Sequence, residues 1–367
     1  VLKKAMVAFS RPPAALPLQS PAPAPATLPA VRPWRPERVL FTPAALDEPF
    51  GREVLARVEA LRLPVERLAG NRLTDLRGDT ERETYRRAKR TLAVVTAPPS
   101  AFKLAPIPPS ADFQFHLAQG CPAHCQYCYL AGSLSGPPVT RVYANLPALL
   151  ERTRAFERKG HVTSFEVSCY TDPLALEHLT GALSTCVRHF AAREGAHLRF
   201  VTKFDATAPL EALAHGGRTR ARFSVGPPGV ERLEGGTAPV AARLQAASRL
   251  ARAGYPVGLV VAPVMPLPGW REAYGALLDG AREALGQPED LTFELISHRF
   301  TPGSRDTLLS WYPSTPLDLD PAGRVEKRHK FGGVKYVYPA ATQAELRAFL
   351  ERGVAERFPQ ARVLYWT

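Results

Sequence analysis

From residue 113 onward, short apolar runs alternate with longer amphipathic stretches. The runs occupy residues 113–118, 163–169, 198–203, 221–225, 257–261 and 292–296. Between them lie segments such as "NLPALLERTRAFERKG", "LEHLTGALSTCVRHFAARE", "PVAARLQAASRLARAG" and "WREAYGALLDGAREALG", which have the composition and length of amphipathic helices. Strand-length runs alternating with helical segments are the pattern of βα units around a parallel sheet. Six such units predict an α/β fold, a partial (β/α)6 barrel of the TIM type rather than a complete eight-strand one. In either form the chemistry belongs at the C-terminal ends of the strands.

The flanks differ. Residues 1–34 are rich in Pro and Ala, carry no acidic residue and show no period, which predicts a flexible extension. Residues 35–110 predict a small α/β lead-in: a strand in "RPERVLFTPAAL", a helix in "FGREVLARVEAL", then the charged "GDTERETYRRAKRTLAVV". Residues 111–305 form the predicted barrel and 306–367 a C-terminal region. There "RVEKRHKFGGVKYVYP" predicts a β-hairpin around Gly332-Gly333, followed by the helix "TQAELRAFLERGVAERF" and the strand "RVLYWT".

Composition adds a charge. Among 367 residues, 47 Lys and Arg face 34 Asp and Glu, a net charge of +13 that attracts polyanions without naming one. Arg-, Ala- and Pro-rich usage is equally the product of a GC-rich genome. The most apolar run, "YPVGLVVAPV", is broken by Pro and Gly and too short to cross a bilayer, so no membrane partner is expected. Prolines also interrupt any secretory apolar region near the start, which predicts a cytoplasmic location.

Three of the five cysteines fall within eight residues, in "GCPAHCQYCYL". An odd, clustered set argues against a disulfide framework. Cys121, Cys125 and Cys128 form C-x3-C-x2-C on a loop after a predicted strand. Zinc would need a fourth ligand, for which only His124 or the distant Cys169 is available. A [4Fe–4S] cluster suits three thiolates better, because the unligated iron opens to substrate. With aromatic Tyr127 before the last cysteine, the loop matches the C-x3-C-x-aromatic-C signature of the radical S-adenosylmethionine superfamily. The other strand ends would share its mouth: "VSCYTDP" closes the second, Lys203 the third, Ser224 lies late in the fourth and Ala262 follows the fifth.

Together "GCPAHCQYCYL", "FEVSCYTDPLALEHLTGAL", "LRFVTKF", "TRARFSVG", "ARAGYPVGLVVAPV" and "LTFELISHRFT" resemble the spore photoproduct lyase family, from about Arg35 to the C-terminal "LYWT". The resemblance implies a monomeric carbon–carbon lyase acting on UV-damaged DNA, returning 5-thyminyl-5,6-dihydrothymine to two thymines without light. It implies a [4Fe–4S] cluster on Cys121, Cys125 and Cys128, S-adenosylmethionine contacts at Thr171, Lys203, Ser224 and Ala262, and an electron donor such as flavodoxin or ferredoxin. A 5′-deoxyadenosyl radical would take hydrogen from C6 of the lesion, and Cys169 would give hydrogen to the product radical. Tyr127 and Tyr129 would relay the radical back, and Arg299, Lys330, Lys335 and Tyr336 would hold DNA.

Without the resemblance, Cys169 reads as a buried structural cysteine, the tyrosines as packing and each charge as a solvated face; Cys186 reads as core in both cases. One departure from the family stands out: "HKFGGVKY" is a shorter hairpin than the family's, which carries a Trp-Gly-Arg-Tyr-Gly stretch. Two alternatives stay open, a related radical enzyme with another substrate and a zinc-stabilised nucleic-acid binding protein without catalysis. A flavin photolyase is disfavoured by the lack of a G-x-G-x-x-G fingerprint.

Overall fold

A computed structural model describes residues 33–328 and 333–367, so the predicted extension lies almost wholly outside the described residues. The six predicted runs all contribute to one eight-stranded sheet. Its parallel strands are Ala111–Gln114, Thr163–Glu166, Ala196–Thr202, Thr219–Val225, Val257–Val264, Leu291–Ser297 and, beyond the six, the C-terminal Arg362–Trp366. Ala105–Ile107 adds an antiparallel strand at the opposite edge. The two edge strands do not pair, which leaves an open half-barrel. Helices Ala182–Ala191, Val240–Arg252, Trp270–Leu285 and Ala340–Arg357 realise the predicted amphipathic segments. No described helix is long and apolar enough to cross a membrane.

The run predicted as one strand over 113–118 is two. Phe115 still donates its amide to Glu166 in the half-barrel, at 3.0 Å, whereas the Leu117 carbonyl accepts the amide of Tyr143 in a second sheet, at 3.1 Å. That sheet has the order Val65–Arg67, Arg38–Phe41, Thr91–Val95, Thr140–Tyr143, Ala118–Gln119. Phe115 and Leu117 are both buried, so burial alone gave no sign that the chain changes sheets between them. The crossing has a consequence: the cysteine loop is suspended between two strands of the small sheet, Ala118–Gln119 and Thr140–Tyr143. Gly120 opens the loop at φ +82°, where a Cβ would stand 2.5 Å from the Val139 carbonyl oxygen.

Along the half-barrel, side chains alternate between two faces. Phe165, Phe200, Phe223 and Phe293 are fully buried; Phe165 meets Phe190 of a covering helix at 5.5 Å between ring centres. The alternate positions fill the interior with charge instead of the branched apolar residues usual in such barrels. Glu294 accepts from Arg222 (2.7 Å), Arg199 and Tyr365, while Glu166 accepts from Arg222 and from Ser110 (3.0 Å). Arg222, Glu166 and Glu294 are each at most 2% exposed.

Removing one member of a buried ion network strands its partners. Glu294→Ala is therefore expected to lower unfolding stability by about 3–5 kcal/mol in denaturant titration; a loss below about 1 kcal/mol would mean that water reaches these groups.

Candidate active site

The cysteine loop is shaped from two sides. Its short strand His124–Cys125 pairs antiparallel with Glu234–Gly235, and the Gln126 amide donates to the Leu233 carbonyl at 2.9 Å. From the other side the buried Lys89 donates its ammonium to the carbonyls of Cys121 and Ala123. Cys121, Cys125 and Cys128 are free thiols lining one cavity, whose wall also includes Tyr85, Lys89, Trp311 and Tyr312. Burial pushes the thiols up, Cys121 to about 11; Lys89 opposes this at Cys121 and Cys128, and Lys203 opposes it at Cys125. Among the described residues no three His, Cys, Asp or Glu side chains gather around a single metal-ion position. The donor set is three thiols on a shared cavity with two cations beside it, which fits a larger group that takes thiolates. His124 has its Nδ1 held at 2.8 Å by the Tyr85 hydroxyl.

Three of the four predicted S-adenosylmethionine contacts meet. The Lys203 ammonium donates to Ser224 Oγ and Glu234 Oε1, both at 2.7 Å, and to the Ala262 carbonyl at 3.4 Å. Ser224 Oγ also donates to the Ala262 carbonyl at 3.3 Å. The fourth, Thr171, has a buried hydroxyl with no partner. An orphaned polar atom at a strand-end mouth is what a polar ligand would satisfy. Asp172 accepts from the Lys203 amide and the Thr202 hydroxyl, both at 2.7 Å, so it fixes the end of the strand that carries Lys203.

Sequence reasoning missed Glu234 and Arg243. Glu234 accepts from the Tyr127 hydroxyl and from Lys203, and pairs with Arg243 at 2.6 Å at an angle outside hydrogen-bond geometry. Burial would raise its carboxyl pKa, yet Lys203 and Arg243 outweigh that and hold it below the ordinary range. "ERLEGGT" carries no motif that marks Glu234, and Arg243 sits in an ordinary helical pattern.

Cys169 follows the second strand, half-buried, with its thiol pushed up to about 12 by burial. Its carbonyl accepts the hydroxyl of Tyr129, a ring 58% exposed in the mouth. The two predicted relay tyrosines thus divide: Tyr129 reaches Cys169, whereas Tyr127 reaches Glu234 and lies under Lys203, 5.5 Å from ring centre to Nζ. Cys186 is fully buried core, as expected.

Three of the four predicted DNA residues, Arg299, Lys335 and Tyr336, lie on one rim. Arg299 follows strand Leu291–Ser297; burial lowers its pKa, against Tyr365 and Tyr129 nearby. In the hairpin of Val325–Arg328 and Val334–Val337, Lys335 stands directly opposite Lys327. Its ammonium pKa is lowered by burial, then by Arg299 and Lys327. The Tyr336 amide donates to Phe300 at 2.8 Å, and the two rings stand 5.4 Å apart. Lys330 lies outside the described residues, as does most of the hairpin turn.

Known proteins resemble this chain over nearly its whole length. The family described as spore photoproduct lyase matches residues 34–367. A spore photoproduct lyase of Geobacillus sp. (strain Y412MC61) is 38% identical over 343 residues, 92% of this chain and 100% of that protein. That of Bacillus subtilis (strain 168) is 36% identical over 341 residues, 91% of this chain and 99% of its own. Among solved structures, a spore photoproduct lyase complexed with dinucleoside spore photoproduct matches with a TM-score of 0.87 and 36% identity, over 92% of this chain and 100% of that one. A doubly substituted variant with bound S-adenosylmethionine and dinucleoside spore photoproduct matches equally well. This chain belongs to the spore photoproduct lyase family.

Proposed function

We propose that this chain is a DNA repair lyase that converts the spore photoproduct into two thymines, using S-adenosylmethionine and a [4Fe–4S] cluster. The observation that carries the reading is convergence: Lys203, Ser224 and Cys169 stand at the C-terminal ends of one parallel sheet, and Glu234 ties the three-thiol loop to them. Family membership and relatives solved with S-adenosylmethionine and the dinucleoside lesion support it. Cys121, Cys125 and Cys128 would hold the cluster; Lys203, Ser224, Thr171 and the Ala262 carbonyl would hold the sulfonium ligand, with Lys203 on its carboxylate. When bound, these groups supply a 5′-deoxyadenosyl radical.

The chain's own residues then govern where hydrogen goes. A cysteine thiol is S–H at neutral pH, as a hydrogen-atom donor requires, and burial shifts Cys169 further toward that form. Its S–H bond breaks homolytically, the hydrogen atom completes the methyl group of the product thymine, and a thiyl radical stays on Sγ. Tyr129, whose hydroxyl donates to the Cys169 carbonyl, would return a hydrogen atom to that thiyl and keep a phenoxyl radical. Arg299, Lys335 and Tyr336 form the rim on which a phosphate backbone would rest, and the outward swing of a damaged dinucleotide would bring it over the mouth. Lys330 and the electron donor, flavodoxin or ferredoxin, remain part of this proposal, as does action as a monomer.

An anaerobic assay with dithionite, S-adenosylmethionine and a synthetic spore-photoproduct dinucleotide tests the reading: thymine should form, and Cys169→Ala should lose most of it. Cleavage of S-adenosylmethionine without thymine would discard the lesion and keep the radical chemistry.

Replacing the Lys203 ammonium by an apolar chain removes a charge-assisted contact; Lys203→Met should weaken S-adenosylmethionine binding about 10- to 100-fold in equilibrium dialysis of the cluster-loaded protein. Unchanged binding would release Lys203 from that role.

The raised Cys169 pKa gives a third test, because only the thiolate alkylates. Iodoacetamide labelling of Cys169 at pH 8 should be at least about 100-fold slower in the folded chain than in urea. The folded-state rate should climb as pH rises toward about 12. Equal rates would mean a solvated thiol.

A further inference from the structure

The loop that carries Cys169 leaves the sheet at a point fixed by side chains. Strand Thr163–Glu166 ends on Glu166, whose carboxylate lies in the barrel interior. One oxygen, Oε1, accepts from both the hydroxyl of Ser168 and its amide, the latter at 3.3 Å. The other, Oε2, accepts from Arg222 and from Ser110. The Ser168 oxygen accepts in turn the amide of Val201 on the neighbouring strand, at 2.9 Å. In a parallel ladder a backbone carbonyl takes such an amide. Here a hydroxyl takes it, so the backbone at Ser168 is released from the ladder and turns into the mouth. The next residue is Cys169.

Beyond Cys169 the chain is tied again, by Tyr129 at the Cys169 carbonyl and by Thr202 and Lys203 at Asp172. The thiol-bearing residue therefore hangs between two anchors. The upstream anchor is a serine hydroxyl oriented by a buried carboxylate, and Arg222 holds that carboxylate in place. Arg222, Glu166 and Ser168 are 2%, 2% and 6% exposed, so solvent does not substitute for any of these bonds.

We infer that Glu166, Ser168 and Arg222 are positioning residues for the Cys169 hydrogen-atom donor. They form no bond with the substrate. They set where Sγ stands when the product radical appears, and this rests on the proposed role of Cys169. Hydrogen-atom transfer competes with every other fate of that radical, so a displaced thiol shows itself in how products divide. A displacement on the order of 1 Å can cost about 100-fold in a positioned step.

The test compares Ser168→Ala and Glu166→Gln with Tyr365→Phe. The last loosens the same interior lattice at Glu294 and leaves in place the Ser168 bonds to Glu166 Oε1 and to the Val201 amide. For each protein, thymine formed is measured per S-adenosylmethionine cleaved, with Tm recorded and Cys169→Ala run alongside. Deuterium in the product methyl after reaction in D2O reports hydrogen delivered from the exchangeable thiol. Ser168→Ala and Glu166→Gln should each lower the thymine ratio about tenfold or more. They should also lower methyl deuterium, whereas Tyr365→Phe should lower Tm and leave both readouts at wild-type values. In the cluster-free proteins, iodoacetamide labelling of the Cys169 peptide should change for the first two variants only, which keeps a readout where reconstitution fails. Wild-type ratios and labelling in Ser168→Ala and Glu166→Gln would overturn the inference, as would an equal fall in Tyr365→Phe. If Cys169→Ala itself keeps the wild-type ratio and methyl deuterium, the proposed donor role fails, an outcome distinct from failure of the positioning residues.

Discussion

A carboxylate with no exposed surface stays ionised only where cations and donors replace the water it has lost. Glu234 is such a group, and the mouth of the half-barrel is arranged around it. Lys203 and Arg243 supply the charge, and the Tyr127 hydroxyl supplies a further donor. Because its own short strand pairs with His124–Cys125, the same residue fixes the cysteine loop against the strand ends. Lys203 is thereby held beside Ser224 and the Ala262 carbonyl instead of extending into solvent. One buried charge thus couples the backbone of the three-thiol loop to the side chains across the mouth.

Below the mouth, the interior of the sheet repeats this logic with two arginines and two glutamates. Buried ion pairs of this kind add little net stability over apolar packing, and their attested use is to specify one arrangement. Stability has another source: the outward faces, where Phe165, Phe200, Phe223 and Phe293 are sealed under helices. The alternation of the strands therefore separates two tasks. Apolar residues on one face hold the sheet together, while charged residues on the other set atomic positions near its open end.

This division explains how much was legible in the sequence. Strand and helix periods are local, so the six units and most covering helices followed from them. The cysteine spacing and the strand-end residues lie in short contiguous motifs, and Lys203, Ser224 and Ala262 did meet. What escaped is long-range. Glu234 reaches Lys203 across 31 positions and Tyr127 across 107, with no periodic signal at either end. The change of sheet between Phe115 and Leu117 was hidden because both residues are buried on either side of it. The C-terminal strand Arg362–Trp366 was recognised as a strand, but nothing local assigned it to the barrel, where it pairs with Leu291–Ser297.

The rim follows a different rule from the interior. Inside, Arg199, Arg222, Lys203 and Arg243 each face a carboxylate; on the hairpin, Lys327 and Lys335 stand directly opposite one another, and Arg299 adds to the same field. Like charges in register are unfavourable in a sheet, by a fraction of a kcal/mol to about 1 kcal/mol for such a pair. The hairpin would be more stable with one lysine replaced by glutamate. On the proposed reading the arrangement is explained by its ligand: a phosphate between the two ammonium groups removes their repulsion, and bound counterions are released to solvent in the exchange. The interior charges are satisfied within the fold and hold it in one geometry. Among the described residues the rim charges face no carboxylate, and on the proposed reading a polyanion completes them.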